Sequence, residues 1–130
     1  MATLTPTLTL TSSDASADET LSLSVTDALT VTAPHVGMSK VACEASSGSV
    51  VALKPSGSAN QYVYIKHTGK QSDGSTATTN QLAIKFASTE SLRLAAEEFA
   101  FFPAKSDVVV NAISSSSHTI LIEYAYWTAG

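Results

Sequence analysis

Histidines, a cysteine, a glutamate pair and many serines are the residues through which this chain could do chemistry. The three histidines are dispersed, His35 beside Pro34, His67 before Gly69 and His118 after a run of serines. None has a second histidine, a cysteine or a carboxylate at a metal-binding spacing. Each therefore reads as a solvated loop or strand-end residue. Glu97-Glu98 could serve as a carboxylate pair, but adjacent residues of a strand point to opposite faces, and the pair reads as a polar turn. No Gly-x-Ser-x-Gly elbow supports a serine nucleophile, and the six glycines are single, so no phosphate-binding loop is present. The lone cysteine, Cys43, follows Val41-Ala42 and reads as a small buried hydrophobe. On these residues the chain is expected to be no enzyme, with no metal and no cofactor.

The aromatic residues form a more coherent set. Tyr62 and Tyr64 share one face of a strand, Tyr124 and Tyr126 share a face of another, and Trp127 takes the opposite face. Tyrosine rows pack in cores or between subunits, and stack on sugars. Phe99, Phe101 and Phe102, ahead of Pro103, read as core.

The elements that position these residues are strands. In Glu19 to Thr32, Leu21, Leu23, Val25, Leu29 and Val31 alternate with serines and threonines, and Asp27 falls at an inward position. A turn or bulge there splits the stretch in two. Pro34 to Gly37 reads as a connection. Gly48 to Lys54 is a strand closed by Pro55-Ser56-Gly57-Ser58. Asn60 to Thr68 sets Val63 and Ile65 against Tyr62, Tyr64 and Lys66, and Gln81 to Ala87 turns Leu82, Ile84 and Phe86 inward. Between these two, Gly69 to Asn80 predicts an exposed, mobile hairpin loop. Ala95 to Glu98 is the one place for a helical turn. The last third carries Val108 to Ile113, the serines 114–117 and Thr119 to Trp127, the pattern of a hairpin whose return strand is apolar on both faces.

Eight or nine short strands at roughly ten-residue spacing predict an all-β fold, a single antiparallel β-sandwich or jelly-roll-like domain. Residues 19–130 make up that domain. Residues 1–18 read as an extended N-terminal arm with its loop, because Leu4, Leu8 and Leu10 keep strand rhythm while Pro6 confines the segment to an edge. The arm is a candidate for lying on a neighbouring subunit.

Composition narrows the class of function. Charged residues are 14% of the chain, against about 25% in an ordinary soluble domain, while serine and threonine exceed a quarter. A surface this poor in charge predicts burial against copies of itself or a larger assembly. The net charge of −4, with seven scattered basic residues, argues against direct nucleic-acid binding. No run approaches the roughly 20 apolar residues of a spanning helix, so no membrane partner is expected. No secretory signal is visible, which predicts synthesis and folding in a cytoplasm.

Leu92-Arg93-Leu94, Glu97-Glu98-Phe99, Phe102-Pro103, the valine strand and the closing Ile122-Glu123-Tyr124 together resemble the C-terminal part of small structural proteins encoded by tailed bacteriophages. The resemblance implies a virion protein made in the host bacterial cytoplasm, of the capsid cement or decoration type. It also implies homotrimers that tie capsomers together and a major capsid protein as partner. Leu4, Leu8, Leu10, Tyr62, Tyr64, Tyr124, Tyr126 and Trp127 are then the interface candidates. A tail, neck or fibre module reading glycans through Tyr62, Tyr64 or Trp127 is the alternative.

Overall fold

Among the described residues the period-two patterning folds into strands at eleven places. The computed structural model describes residues 1–12, 22–43, 51–115 and 118–130, with the side chains of all of these except 33–40. In chain order the strands are β1 (Ala2–Leu4), β2 (Thr7–Thr11), β3 (Ser22–Thr26), β4 (Leu29–Cys43), β5 (Val51–Lys54), β6 (Gln61–His67), β7 (Leu82–Phe86), β8 (Thr89–Leu94), β9 (Phe99–Ala104), β10 (Val110–Ser114) and β11 (Ile120–Ala129). Five make one sheet in the order β1, β4, β11, β6, β9, and four make a second in the order β5, β10, β7, β8. Strands β2 and β3 form a separate two-stranded ribbon. Every pairing is antiparallel.

The two larger sheets close on each other through their apolar parities. Cys43, Val63, Ile65, Ile120 and Ile122 of the first meet Leu53, Leu82, Ile84, Leu94, Val110 and Ala112 of the second in one cluster. Most of these side chains are wholly buried, and each large aliphatic one contributes about 1.5–3 kcal/mol by leaving water. Phe86 and Phe102 meet edge to face, centroids 5.4 Å apart, against the same cluster. The fold is thus an antiparallel β-sandwich, with Cys43 as a core residue.

Several local expectations are corrected. The run Val108 to Trp127 is no hairpin, because β10 belongs to one sheet and β11 to the other. Its two strands oppose their inner faces, Val110 and Ala112 against Ile120 and Ile122, and burying both rows in one core outweighs edge pairing. Of the serine turn, Ser116 and Ser117 lie outside the described residues, while Ser114 Oγ donates to the His118 carbonyl at 2.8 Å. Likewise β6 and β7 lie in different sheets, so Gly69 to Asn80 crosses between them. Pro34 to Gly37 is no connection but part of β4, whose ladder with β11 shifts register around Tyr126 and Trp127. Bulges of this kind let a strand accommodate proline. The turn at Ala95 to Glu98 is a hydrogen-bonded β-turn, Glu98 N–H to the Ala95 carbonyl at 3.2 Å, with Glu97 at φ 70°.

Within the N-terminal segment, residues 2–4 and 7–11 pair with strands of the same chain. Strand β1 joins β4 at the sheet edge, Leu4 opposite Leu29. Pro6 then separates β1 from β2, and the break foreseen at Asp27 lets β3 run back along β2. The Asp27 N–H donates to the Pro6 carbonyl at 3.1 Å and closes the ribbon's base. Residues 13–21, with most of the arm's expected loop and Leu21, and residues 44–50, with the start of the strand expected from Gly48, lie outside the described residues.

Candidate functional site

The β2–β3 ribbon has two chemically distinct faces, because directly opposed residues of an antiparallel pair share a side. Thr7 pairs with Thr26 and Thr9 with Ser24. Their hydroxyls hydrogen-bond across the ribbon at 3.0 and 3.4 Å. The other face presents Leu8 opposite Val25 and Leu10 opposite Leu23. These four are 46%, 53%, 45% and 39% exposed. An isolated two-stranded ribbon is marginal in water, and this one keeps its aliphatic row uncovered. Both strands, TLTLT and SLSVT, are without charge.

The ribbon's base walls an apolar cleft of about 650 Å³ where β8 and β9 form the edges of the two sheets. Pro6, Thr7 and Leu8 stand on one side; Tyr64, Leu92 and the β9 residues Phe99 to Phe102 complete it. None of these is charged. Phe99 is 59% exposed, Leu92 37% and Phe101 36%. The reading of all three phenylalanines as core is corrected: Phe102 packs against the core, while Phe99 and Phe101 fall on the opposite parity of β9 and face outward.

The interface candidates separate into three groups. Leu8 and Leu10 lie on the ribbon, and Leu4 sits half-buried at the edge of the five-stranded sheet. Tyr124 and Tyr126 pack against the core cluster. Tyr62, Tyr64 and Trp127 come together on the outer face of that sheet, since Tyr62 is opposite Trp127 and Tyr64 opposite Ala125. There Tyr62 stacks on Phe101 of the adjacent strand. Burial, and then the Glu123 carboxylate nearby, push the Tyr64 phenol above its usual range. Leu23, Val25, Leu92, Phe99 and Phe101 join the surface although the sequence reading did not select them. The Phe-Ala-Phe-Phe alternation at residues 99–102 carried the signal for the last two.

One of the polar residues through which the chain could do chemistry is tied into the fold by hydrogen bonds. His67, expected to be solvated, is fully buried. The Gly69 N–H donates to its Nδ1 at 2.9 Å, and its Nε2–H donates to the Asn80 carbonyl at 2.8 Å. One acceptor and one donor nitrogen define a neutral imidazole in a single tautomer. The histidine was legible as a strand end, but the return of residues 69–80 over it was not. That crossing exposes residues 72–77 as expected, and its tip is a hydrogen-bonded turn: Asp73 accepts from the backbone of Ser75 and Thr76 and from the Thr76 hydroxyl, while Thr78 is buried. His118 is exposed, and His35 belongs to β4 with its side chain outside the described residues.

Lys54 is a further buried polar group. Its ammonium donates to the carbonyls of Lys105 (2.9 Å), Ser106 (3.2 Å) and Val108 (2.5 Å), which pins the β9–β10 connection to the end of β5. Burial lowers its pKa, against the opposing pull of Asp107. Among the described residues no group of three histidine, cysteine or carboxylate side chains could hold a metal ion. Among the described residues no helix is long and apolar enough to cross a membrane.

Comparison with known proteins found no family model that matches this chain and no curated protein similar to it in sequence.

Proposed function

We propose that this chain is a non-enzymatic structural protein of a phage virion, a capsid cement or decoration protein that self-associates, as a trimer, and binds across junctions of the major capsid protein. One observation carries the reading: an uncharged aliphatic row and an uncharged aromatic cleft lie open on the same sandwich. Surfaces of that kind mark interaction sites. The low total charge and the resemblance of the C-terminal third support the same reading. Such a protein acts by multivalent contact, many weak junctions replacing a single strong site.

Quantitative mass spectrometry of purified particles, with the major shell protein as the internal standard, tests it. The expected result is a copy number close to that of the shell subunit. Absence from particles overturns the virion reading. A copy number matching a ring or a few fibres favours the alternative, a tail, neck or fibre module. The shared face of Tyr62, Tyr64 and Trp127 supports that alternative, because aligned rings can stack on sugars. Glycan-array binding that alanine at these three positions abolishes would favour it.

A further inference from the structure

Asp73-Gly74 is the chain's one pairing of an aspartate or asparagine with a following glycine. It stands at the exposed tip of the crossing from β6 to β7. Such a pair has a chemistry of its own. The glycine amide nitrogen, with no neighbouring side chain to shield it, attacks the carbon of the protonated carboxyl. An N–Cγ bond forms, the amide proton and the carboxyl hydroxyl leave together as water, and a five-membered succinimide results. Water then reopens the ring at either carbonyl. Opening at Cγ restores aspartate, whereas opening at the main-chain carbonyl leaves isoaspartate, with the backbone rerouted through Cβ and Cγ.

The turn needs both residues of the pair. Gly74 lies at φ 72°, where a residue with a Cβ is strained. One oxygen of Asp73 accepts from the amides of Ser75 and Thr76 at 2.9 and 2.8 Å, and the other accepts from the Thr76 hydroxyl. The Gly74 N–H donates to the Gln71 carbonyl at 2.9 Å, and the Gln71 N–H to the Thr76 carbonyl at 2.8 Å.

We infer that these hydrogen bonds shield Asp73-Gly74 from isoaspartate formation, Thr76 positioning the carboxylate while Gln71 holds the attacking nitrogen. Two requirements of the cyclisation are blocked at once. The nitrogen must give up its bond to Gln71 before it can attack. The carboxyl must be protonated to lose a hydroxyl, and three donors favour its ionised form. The Thr76 hydroxyl, and then the Ser75 and Thr76 backbone, hold that group at about 2. An unfolded aspartate, near 3.9, carries its proton at pH 5 on the order of tenfold or more as often. The inference stands apart from the proposed function, and neither fails with the other.

Warm incubation of the purified full chain at pH 5, beside a free peptide of residues 70–77, tests it. Isoaspartate is counted by methyl transfer from an isoaspartyl methyltransferase and placed at residue 73 by electron-transfer fragmentation. The peptide is expected to accumulate it, and the full chain to do so slower by on the order of tenfold or more, following the difference in protonation. Thr76→Val removes the hydroxyl and keeps the backbone donor. At this exposed position it should leave circular dichroism unchanged and still speed the reaction several-fold. Thr76→Ser, which restores a hydroxyl, should return the wild-type rate. A full chain that isomerises as fast as the peptide, or a folded Thr76→Val protein as slow as the wild type, would overturn the inference.

Discussion

Tyr62 and Phe101 stack with ring centroids 6.1 Å apart and planes within 10°. They lie on neighbouring strands, β6 and β9, on the outer face of the five-stranded sheet. Stacked rings at this spacing couple by about 0.5–1.5 kcal/mol beyond the area they bury. A double-mutant cycle with Tyr62→Ala and Phe101→Ala, followed by denaturant unfolding, should return a coupling in that range. Additive losses would show that the rings are merely adjacent.

Lys54 holds three carbonyls with one ammonium. Replacing it by methionine keeps the stem and removes the donor, leaving the carbonyls of Lys105, Ser106 and Val108 to find other partners. The expected loss is about 1–3 kcal/mol, the cost of stranding buried polar groups. Hydrogen exchange should quicken at residues 105–109 more than elsewhere, and uniform quickening would argue against a local clamp.

Glu97 and Gly69 both sit in the left-handed region that favours glycine. Glu97 sits at φ 70°, a conformation that a glycine adopts without strain. Gly69 is at φ 72°, and a Cβ there would come within 3.1 Å of Glu97 Cγ. Glu97→Gly should raise stability by about 0.5–1 kcal/mol through relief of left-handed strain. Gly69→Ala should lower stability by more than that. Thermal melts of the two variants decide it by their opposite signs.

The hydrogen bond from the Thr76 hydroxyl, then those from the Ser75 and Thr76 backbone, hold the Asp73 carboxyl down at about 2. A carboxylate whose folded pKa lies below its unfolded value, about 3.9, stabilises fully above that value and loses the contribution as pH falls through the folded one. Asp73→Asn should therefore melt lower than the wild type at neutral pH. The gap between them should shrink from pH 4 down to pH 2. A gap independent of pH would mean that the turn does not depend on the charge.

Much of the sandwich is visible in the residues themselves. Val63 and Ile65, and Leu82, Ile84 and Phe86, alternate as buried rows should, and Asp27 marks the break between β3 and β4. What the pattern did not carry is which strands pair. A turn joining two strands of one sheet and a turn joining two sheets have the same local chemistry, so Val108 to Trp127 read as a hairpin until packing chose otherwise. Parity likewise identified Leu23 and Val25 as one face without telling whether a core or water lay against it. His67 was misjudged for a related reason: its burial comes from residues 69–80 folding back, a contact its neighbours in sequence do not encode.

Strand β11 lies between β4 and β6, following in sequence every strand that it must join. The five-stranded sheet consequently has no continuous ladder until residues 120–129 arrive, whereas the β2–β3 ribbon closes from residues 7–26 alone. Sequence-distant pairings of this sort slow folding. During synthesis the ribbon can form early, with its aliphatic face already open, while the sandwich that is to carry it waits for its middle strand.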